Sequence, residues 1–222
     1  MASPSQSVLF LHGIGAGPES WDAQIDALPS EFSGFAPRVA GLTGDGSADF
    51  SLTDAAGDVA AELDRRGIER AHICGLSLGA MIAIRFAIDY PNRVSSLVLS
   101  GAQVRPNPAL MALQSAIMRV LPSRLVAPPG MSKPRMRAVL RSIARADLRE
   151  ELSRITAPTL VLCGLRDRPN LPAARELAAG ITDAKLQLVP DAGHEWNISR
   201  PEAFSKRLNA FYAHQTEGRA FQ

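Results

Sequence analysis

The sequence predicts an α/β fold, a predominantly parallel sheet of about six strands with helices on both faces. Three observations carry that prediction. Six short apolar, partly β-branched runs recur along the chain, helix-like segments with recognisable start signals lie between them, and no repeat or low-complexity tract interrupts the alternation.

The first run, residues 7–12, reads as a strand, and Pro18-Glu19-Ser20-Trp21 then opens a helix with proline at its first position. A second strand is expected over residues 36–40. Leu52-Thr53-Asp54 leads into an alanine-rich helix ending near Arg66. The run at 71–75 reads as a short buried strand, and the segment from Leu78 to Ile84 reads as the start of a helix. Strands follow over 94–100, 159–163 and 185–189, and Pro201-Glu202-Ala203-Phe204 starts the last helix.

One connection is far longer than the rest. Residues 102–157 show helical patterning over 109–121 and again over 134–152, separated by the breakers Pro128-Pro129-Gly130. A stretch of that length inside a compact domain must carry structure of its own, and it leaves the sheet at the carboxyl end of a strand, where parallel sheets bind their ligands. It is expected to form a small helical lid. Leu110, Leu113, Ile117, Val120 and Leu121 recur at helical spacing, as an apolar stripe facing the site would. Nine lid cations, Arg105, Arg119, Arg124, Lys133, Arg135, Arg137, Arg141, Arg145 and Arg149, read as solvated helix backs in preference to a device that steers anions.

Composition bounds the rest. A chain of 222 residues supports one substantial core, so residues 1–222 are taken as one domain with 102–157 as an insertion. Hydrophobic residues at 46% and charged residues at 21% suit a soluble globular protein, and a net charge of only +2 argues against nucleic acid as the partner. The amino-terminal residues contain no signal peptide pattern and no stretch long enough to span a membrane, so a cytoplasmic location is expected. Cys74 and Cys163 lie in strand-like runs far apart in sequence, as buried free thiols do.

The chemistry-bearing residues fall at strand ends. Gly75-Leu76-Ser77-Leu78-Gly79 fits the G-x-S-x-G pattern, in which glycines let a tight turn bring strand and helix together with a serine at the corner. The amino terminus of the following helix favours negative charge developing beside Ser77. Leu11-His12-Gly13-Ile14-Gly15 ends the first strand in a glycine-rich loop whose backbone N–H could face an oxyanion, with His12 a structural residue of the turn. Gly164-Leu165-Arg166-Asp167 puts an acid just past the fifth strand, and Asp191-Ala192-Gly193-His194 puts a histidine just past the sixth. Each alone is an ordinary turn; jointly they supply nucleophile, acid and base in the order Ser77, Asp167, His194.

That order and those strand ends resemble the α/β-hydrolase superfamily, over nearly all of residues 7–212 and including Pro201-Glu202-Ala203-Phe204 as its closing helix. The resemblance implies a three-layer α/β-hydrolase fold with Ser77 as nucleophile, His194 as general base and then acid, and Asp167 as the group orienting the imidazole. Asp191 is a rival acid, disfavoured because its turn is the one presenting the histidine. The oxyanion donors implied are the backbone N–H groups of Ile14 and Leu78. Only about six residues precede the His-Gly strand, so the two antiparallel strands usual there are not expected and the sheet should be all parallel. The bulky pattern usual after His-Gly is replaced by Ile14-Gly15-Ala16-Gly17, and Gly41-Leu42-Thr43-Gly44-Asp45-Gly46 matches the relatives' second loop only loosely.

The implied activity is serine-dependent hydrolysis of a small-molecule ester, with carboxylesterase first and lactonase, thioesterase, carbon–carbon bond hydrolase or cofactor-free lyase served by the same triad. A non-catalytic protein binding a ligand in the same pocket is the alternative of a different class. No cofactor or metal is implied: the histidines at 12, 72, 194 and 214 lack ligand spacing, and Gly13-Ile14-Gly15-Ala16-Gly17 is not a dinucleotide loop. No membrane partner is expected, and nothing in the chain signals whether it is a monomer or a homodimer.

Overall fold

The structure is a computed structural model that describes residues 6–39, 41–42, 50–106 and 131–217. Among these residues six strands form one sheet: β1 (Gln6–Leu11), β2 (Phe32–Phe35), β3 (Ala71–Leu76), β4 (Val94–Ser100), β5 (Thr159–Gly164) and β6 (Ala184–Val189), in the order β2-β1-β3-β4-β5-β6. Every neighbouring pair is parallel. All carboxyl ends therefore lie along one edge of the sheet, and loops leaving those ends can meet there. The central strands β3 and β5 are buried at every position. Edge strand β6 alternates between partly buried and exposed residues up to Val189, as a strand covered on one face does.

Helices cover both faces. On one side α2 (Leu52–Arg65) and α3 (Leu78–Asp89) pack on the sheet together with α4 (Lys133–Arg145) and α5 (Leu171–Gly180). On the other, α1 (Asp22–Asp26), α6 (Trp196–Ser199) and α7 (Pro201–Glu217) enclose a core that includes Trp21, Trp196, Phe204 and Tyr212. Ser51 caps α2, its hydroxyl accepting from the N–H of Asp54, and Ser132 caps α4 by accepting from the N–H of Arg135. Helix α3 is apolar nearly all round because the sheet and α2 bury it from both sides. Among the described residues no helix is long and apolar enough to cross a membrane.

Two elements differ from the sequence expectation. The strand expected at 36–40 lies earlier, at Phe32–Phe35, in register from Gln6 with Phe32 to Leu9 with Phe35. Pro37 has no N–H to donate to a ladder, and the N–H of Val39 goes to the His12 side chain at 3.1 Å instead. Gly34 disguised the true strand, yet its missing side chain lets the chain leaving α1 pack closely there: a Cβ would come within 2.7 Å of Leu28 Cδ1, which would have to shift. The helix expected over 134–152 stops at Arg145, Ala146 turns extended, and a 3₁₀ turn occupies Arg149–Arg154. The N–H of Leu148 bonds the Val104 carbonyl at 3.0 Å, tying this break to the chain leaving β4. The helix expected at 109–121, its apolar stripe, Arg119, Arg124, the Pro128-Pro129-Gly130 break and Thr43-Gly44-Asp45-Gly46 lie outside the described residues.

Candidate active site

Ser77 sits between β3 and α3 with φ 56° and ψ −119°, a conformation that non-glycine residues avoid and that persists only where packing holds it. The flanking glycines supply that packing. A Cβ on Gly75 would stand 2.6 Å from the Ala80 backbone, and one on Gly79 would run into the Leu11 carbonyl. The N–H of Ser77 is held by the Ser100 carbonyl at the end of β4, at 2.8 Å. Strand β1, the elbow and α3 are thereby brought close enough that the His12-Gly13 loop passes directly over Ser77: a Cβ on Gly13 would lie 3.1 Å from Ser77 Cβ.

His12 is buried, and both its ring nitrogens are engaged by backbone. Nε2 accepts from the N–H of Val39, so the proton resides on Nδ1, which donates to the Gly13 carbonyl at 2.9 Å. Burial lowers its pKa below the ordinary 6.5. The ring is a neutral brace for the loop that carries Ile14.

His194 has the opposite surroundings. It leaves β6 on a turn in which Asp191 adopts φ 57°, and its side chain is 38% exposed. Nδ1 donates to Asp167 Oδ2 at 2.7 Å, and that contact raises the imidazole pKa above 6.5 against the opposing effect of burial. Asp167, just past β5, keeps only 6% of its side chain exposed. Gly101, just past β4 with φ 59°, leaves the space that the imidazole fills, since a Cβ there would stand 2.8 Å from His194 Cε1 and 2.9 Å from Nδ1. Asp191 is not part of this arrangement; it is exposed and pairs with Arg166 at 2.6 Å.

Ser77 and His194 share the wall of one cavity of about 450 Å³. Ile14 and Leu78 line it as well, so the two backbone segments expected to supply oxyanion donors flank Ser77. Leu78 is the first residue of α3, and the leading N–H groups of a helix have no partner within it. The apolar wall is formed by Met81 of α3 and by Met136, Leu140 and Ile143, which recur at helical spacing on α4. Among the described lining residues none is Lys, Arg, Asp or Glu. A hydroxyl on a strained corner, an imidazole tied through Nδ1 to a buried carboxylate, and helix-terminal N–H groups on one apolar cavity are the parts that acyl transfer requires.

Sequence reasoning missed Gln103, Asn170, Gly101 and the α4 wall. The spacing of Met136, Leu140 and Ile143 was there to be read. Asn170, three residues after Asp167 in a short turn, was a weaker signal.

A model of the Alpha/beta hydrolase family matches residues 8–207. The chain belongs to this family. A relative from Variovorax paradoxus strain S110, described as "Putative carbamate hydrolase RutD", is 27% identical over 248 residues, covering 94% of this chain and 92% of that protein. Among solved structures, a hydrolase from Pseudomonas aeruginosa PA01 superposes with a TM-score of 0.81 at 25% identity, over 94% of this chain and 90% of the other. The enol-lactonase of Burkholderia xenovorans LB400 gives a TM-score of 0.84 at 23% identity, over 95% and 92%. This α/β hydrolase is accordingly an enzyme of hydrolytic type, and the family's three-layer architecture is the one described above.

Proposed function

We propose that this hydrolase cleaves a small, uncharged carboxylic ester through an acyl-enzyme on Ser77. The observation that carries the reading is the 2.7 Å bond from His194 Nδ1 to the buried Asp167, on a ring that shares its cavity with Ser77 at its strained corner. Ser77 Oγ attacks the ester carbonyl while His194 Nε2 takes its proton. Asp167 holds the ring in the required tautomer and stabilises the imidazolium. The oxyanion is met by the backbone N–H groups of Leu78 and Ile14. His194 then protonates the departing alcohol, and a water activated by the same nitrogen releases the acid and restores Ser77.

The cavity supports a small neutral substrate: its volume is in the range of small-molecule sites, and its described side chains offer no cation to a carboxylate. The described lid cations have other partners or face solvent. Arg105 and Arg149 pair with Asp147, whose carboxyl is pulled down to about 2 by the Arg149 side chain, and Arg141 and Arg145 are exposed. Helix α4 acts as the part of the lid that sets substrate size. The test is a panel of neutral carboxylic esters, thioesters, lactones and carbamates, assayed with the purified protein and with Ser77→Ala. Esters turned over fastest, with activity absent from Ser77→Ala, is the expected result; preference for a lactone or carbamate moves the substrate class while keeping the nucleophile.

A further inference from the structure

Asp167 has more bonding capacity than His194 uses. A buried carboxylate accepts at two oxygens, and His194 engages only Oδ2. The 3₁₀ turn Arg168–Asn170 that follows has three residues per turn, so side chains at positions i and i+3 eclipse and Asn170 stands beside Asp167. Asn170 Nδ2 lies 2.8 Å from Asp167 Oδ1 and 2.9 Å from Oδ2, and its backbone N–H bonds the Asp167 carbonyl at 3.0 Å. A carboxylate only accepts, so the amide must turn its nitrogen toward it. The other end of the amide is held too: Gln103 Nε2 donates to Asn170 Oδ1 at 2.7 Å. Asn170 Nδ2 is also 3.1 Å from His194 Nδ1, a separation imposed by two donors sharing Oδ2. Gln103 and Asn170 both line the cavity.

We infer that Asn170 is a positioning residue of this site, clamping the Asp167 carboxylate in the plane that meets His194, with Gln103 on the cavity wall locking the clamp. The inference rests on the triad reading given above. Its consequence is twofold. With both oxygens held, the carboxylate keeps Oδ2 on the imidazole during each proton transfer. By accepting from Asn170 as well, the carboxylate also concentrates less charge on the ring, which moderates His194 basicity. The groups that act on His194 by charge are Asp167 after β5 and Glu195 beside it in the chain, while Ser77 and Gly101 from the neighbouring strand ends bring none. Cys163, at the end of β5, feels Asp167 as well, and its thiol is pushed up to about 11, mainly by burial, so it stays neutral.

The experiment is the second-order rate of inactivation by a neutral fluorophosphonate, followed from about pH 5 to pH 9, for wild type, Asn170→Leu, Asn170→Thr and Gln103→Leu, with kcat and KM on a neutral ester. Losing a hydrogen bond to a charged group predicts a plateau rate lower by about 10- to 100-fold in Asn170→Leu. Its acid limb should move to higher pH, its KM should hardly change, and Asn170→Thr, which restores one donor, should fall between. Gln103→Leu should shift the limb the same way by less. A lowered plateau with an unmoved limb would show a merely structural role and overturn the inference, as would wild-type behaviour in Asn170→Leu. If Asn170→Leu fails to fold, the limbs of Asn170→Thr and Gln103→Leu decide by the same criterion. A wild type that the probe does not inactivate would instead remove the triad reading itself.

Discussion

His12 follows β1 and His194 follows β6, so both stand at carboxyl ends of strands in one parallel sheet, each on a glycine-bearing turn beside the same cavity. What separates them is the partner of Nδ1 and access to solvent. His12 gives its Nδ1 proton to a carbonyl and accepts a backbone N–H at Nε2, so neither nitrogen is left to exchange a proton with a substrate. His194 gives its Nδ1 proton to a carboxylate and remains partly exposed. Burial pushes one imidazole toward permanent neutrality, and the carboxylate pulls the other toward higher basicity. The same side chain is a brace in one place and, in the proposed mechanism, a proton carrier in the other, and the neighbours that separate them, Val39 and Asp167, lie outside the local motifs.

The largest effect that would break this contrast is loss of His194. His194→Ala should lower kcat on the order of 10⁶-fold, as removing the base of a serine triad does. His12→Asn should leave the acid limb of the pH profile where it was while lowering thermal stability, since a buried bonded group left unsatisfied costs about 1–3 kcal/mol. A pH limb that moved in His12→Asn and stayed put in a His194 variant would reverse the two roles.

Next in size is the acid. Asp167→Asn should lower kcat by about 10⁴-fold through the wrong imidazole tautomer. Asp191→Asn, which removes only an exposed pair with Arg166, should change kcat less than about 10-fold. Steady-state kinetics on both folded variants gives the ranking, and the opposite order would move the acid to Asp191.

A smaller effect concerns pH. With neutral His194 as the base, as proposed, kcat/KM should rise with pH through an apparent pKa above 6.5, and Asp167→Asn should bring that limb down. The stability linkage has the matching sign. A pKa raised on folding means that the His194–Asp167 pair stabilises the protein fully below the unfolded value of 6.5 and loses that contribution as pH rises through the folded value. Thermal melts of wild type and Asp167→Asn across this window should therefore converge toward high pH.

Strands β1, β3, β4 and β5 were legible because each carries an apolar run buried on both faces, and edge strand β6 because Leu186 and Leu188 alternate with Lys185 and Gln187. The edge strand β2 was not, because the residue that lets α1 approach it is Gly34, and glycine reads as a turn. That Ser77, Asp167, His194, Ile14 and Leu78 come together could be expected because parallel topology sends every strand end to the same edge. Asn170 and Gln103 could not, because 67 residues separate them and their contact depends on how the chain leaves β4 and β5. The α4 wall shows the same limit: periodicity marks an apolar face on a helix but not what the face covers.

The smallest expected effect sharpens the description of the cavity. If the described lid arginines only solvate helix backs, kcat/KM for a carboxylate-bearing ester should not exceed that for its neutral analogue at low salt. Neither should change more than about twofold as the Debye length falls from about 30 Å at 0.01 M to about 8 Å at 0.15 M. A selective salt-induced loss for the anionic ester would return steering to the account.

The central claim, that Ser77 is the nucleophile, is tested most directly by intact-mass spectrometry after exposure to a fluorophosphonate at neutral pH. One adduct per chain, mapped to the peptide carrying Gly75-Leu76-Ser77-Leu78-Gly79 and absent from folded Ser77→Ala, is the predicted result. An unmodified wild type of confirmed fold, or an adduct that persists in Ser77→Ala, would contradict it.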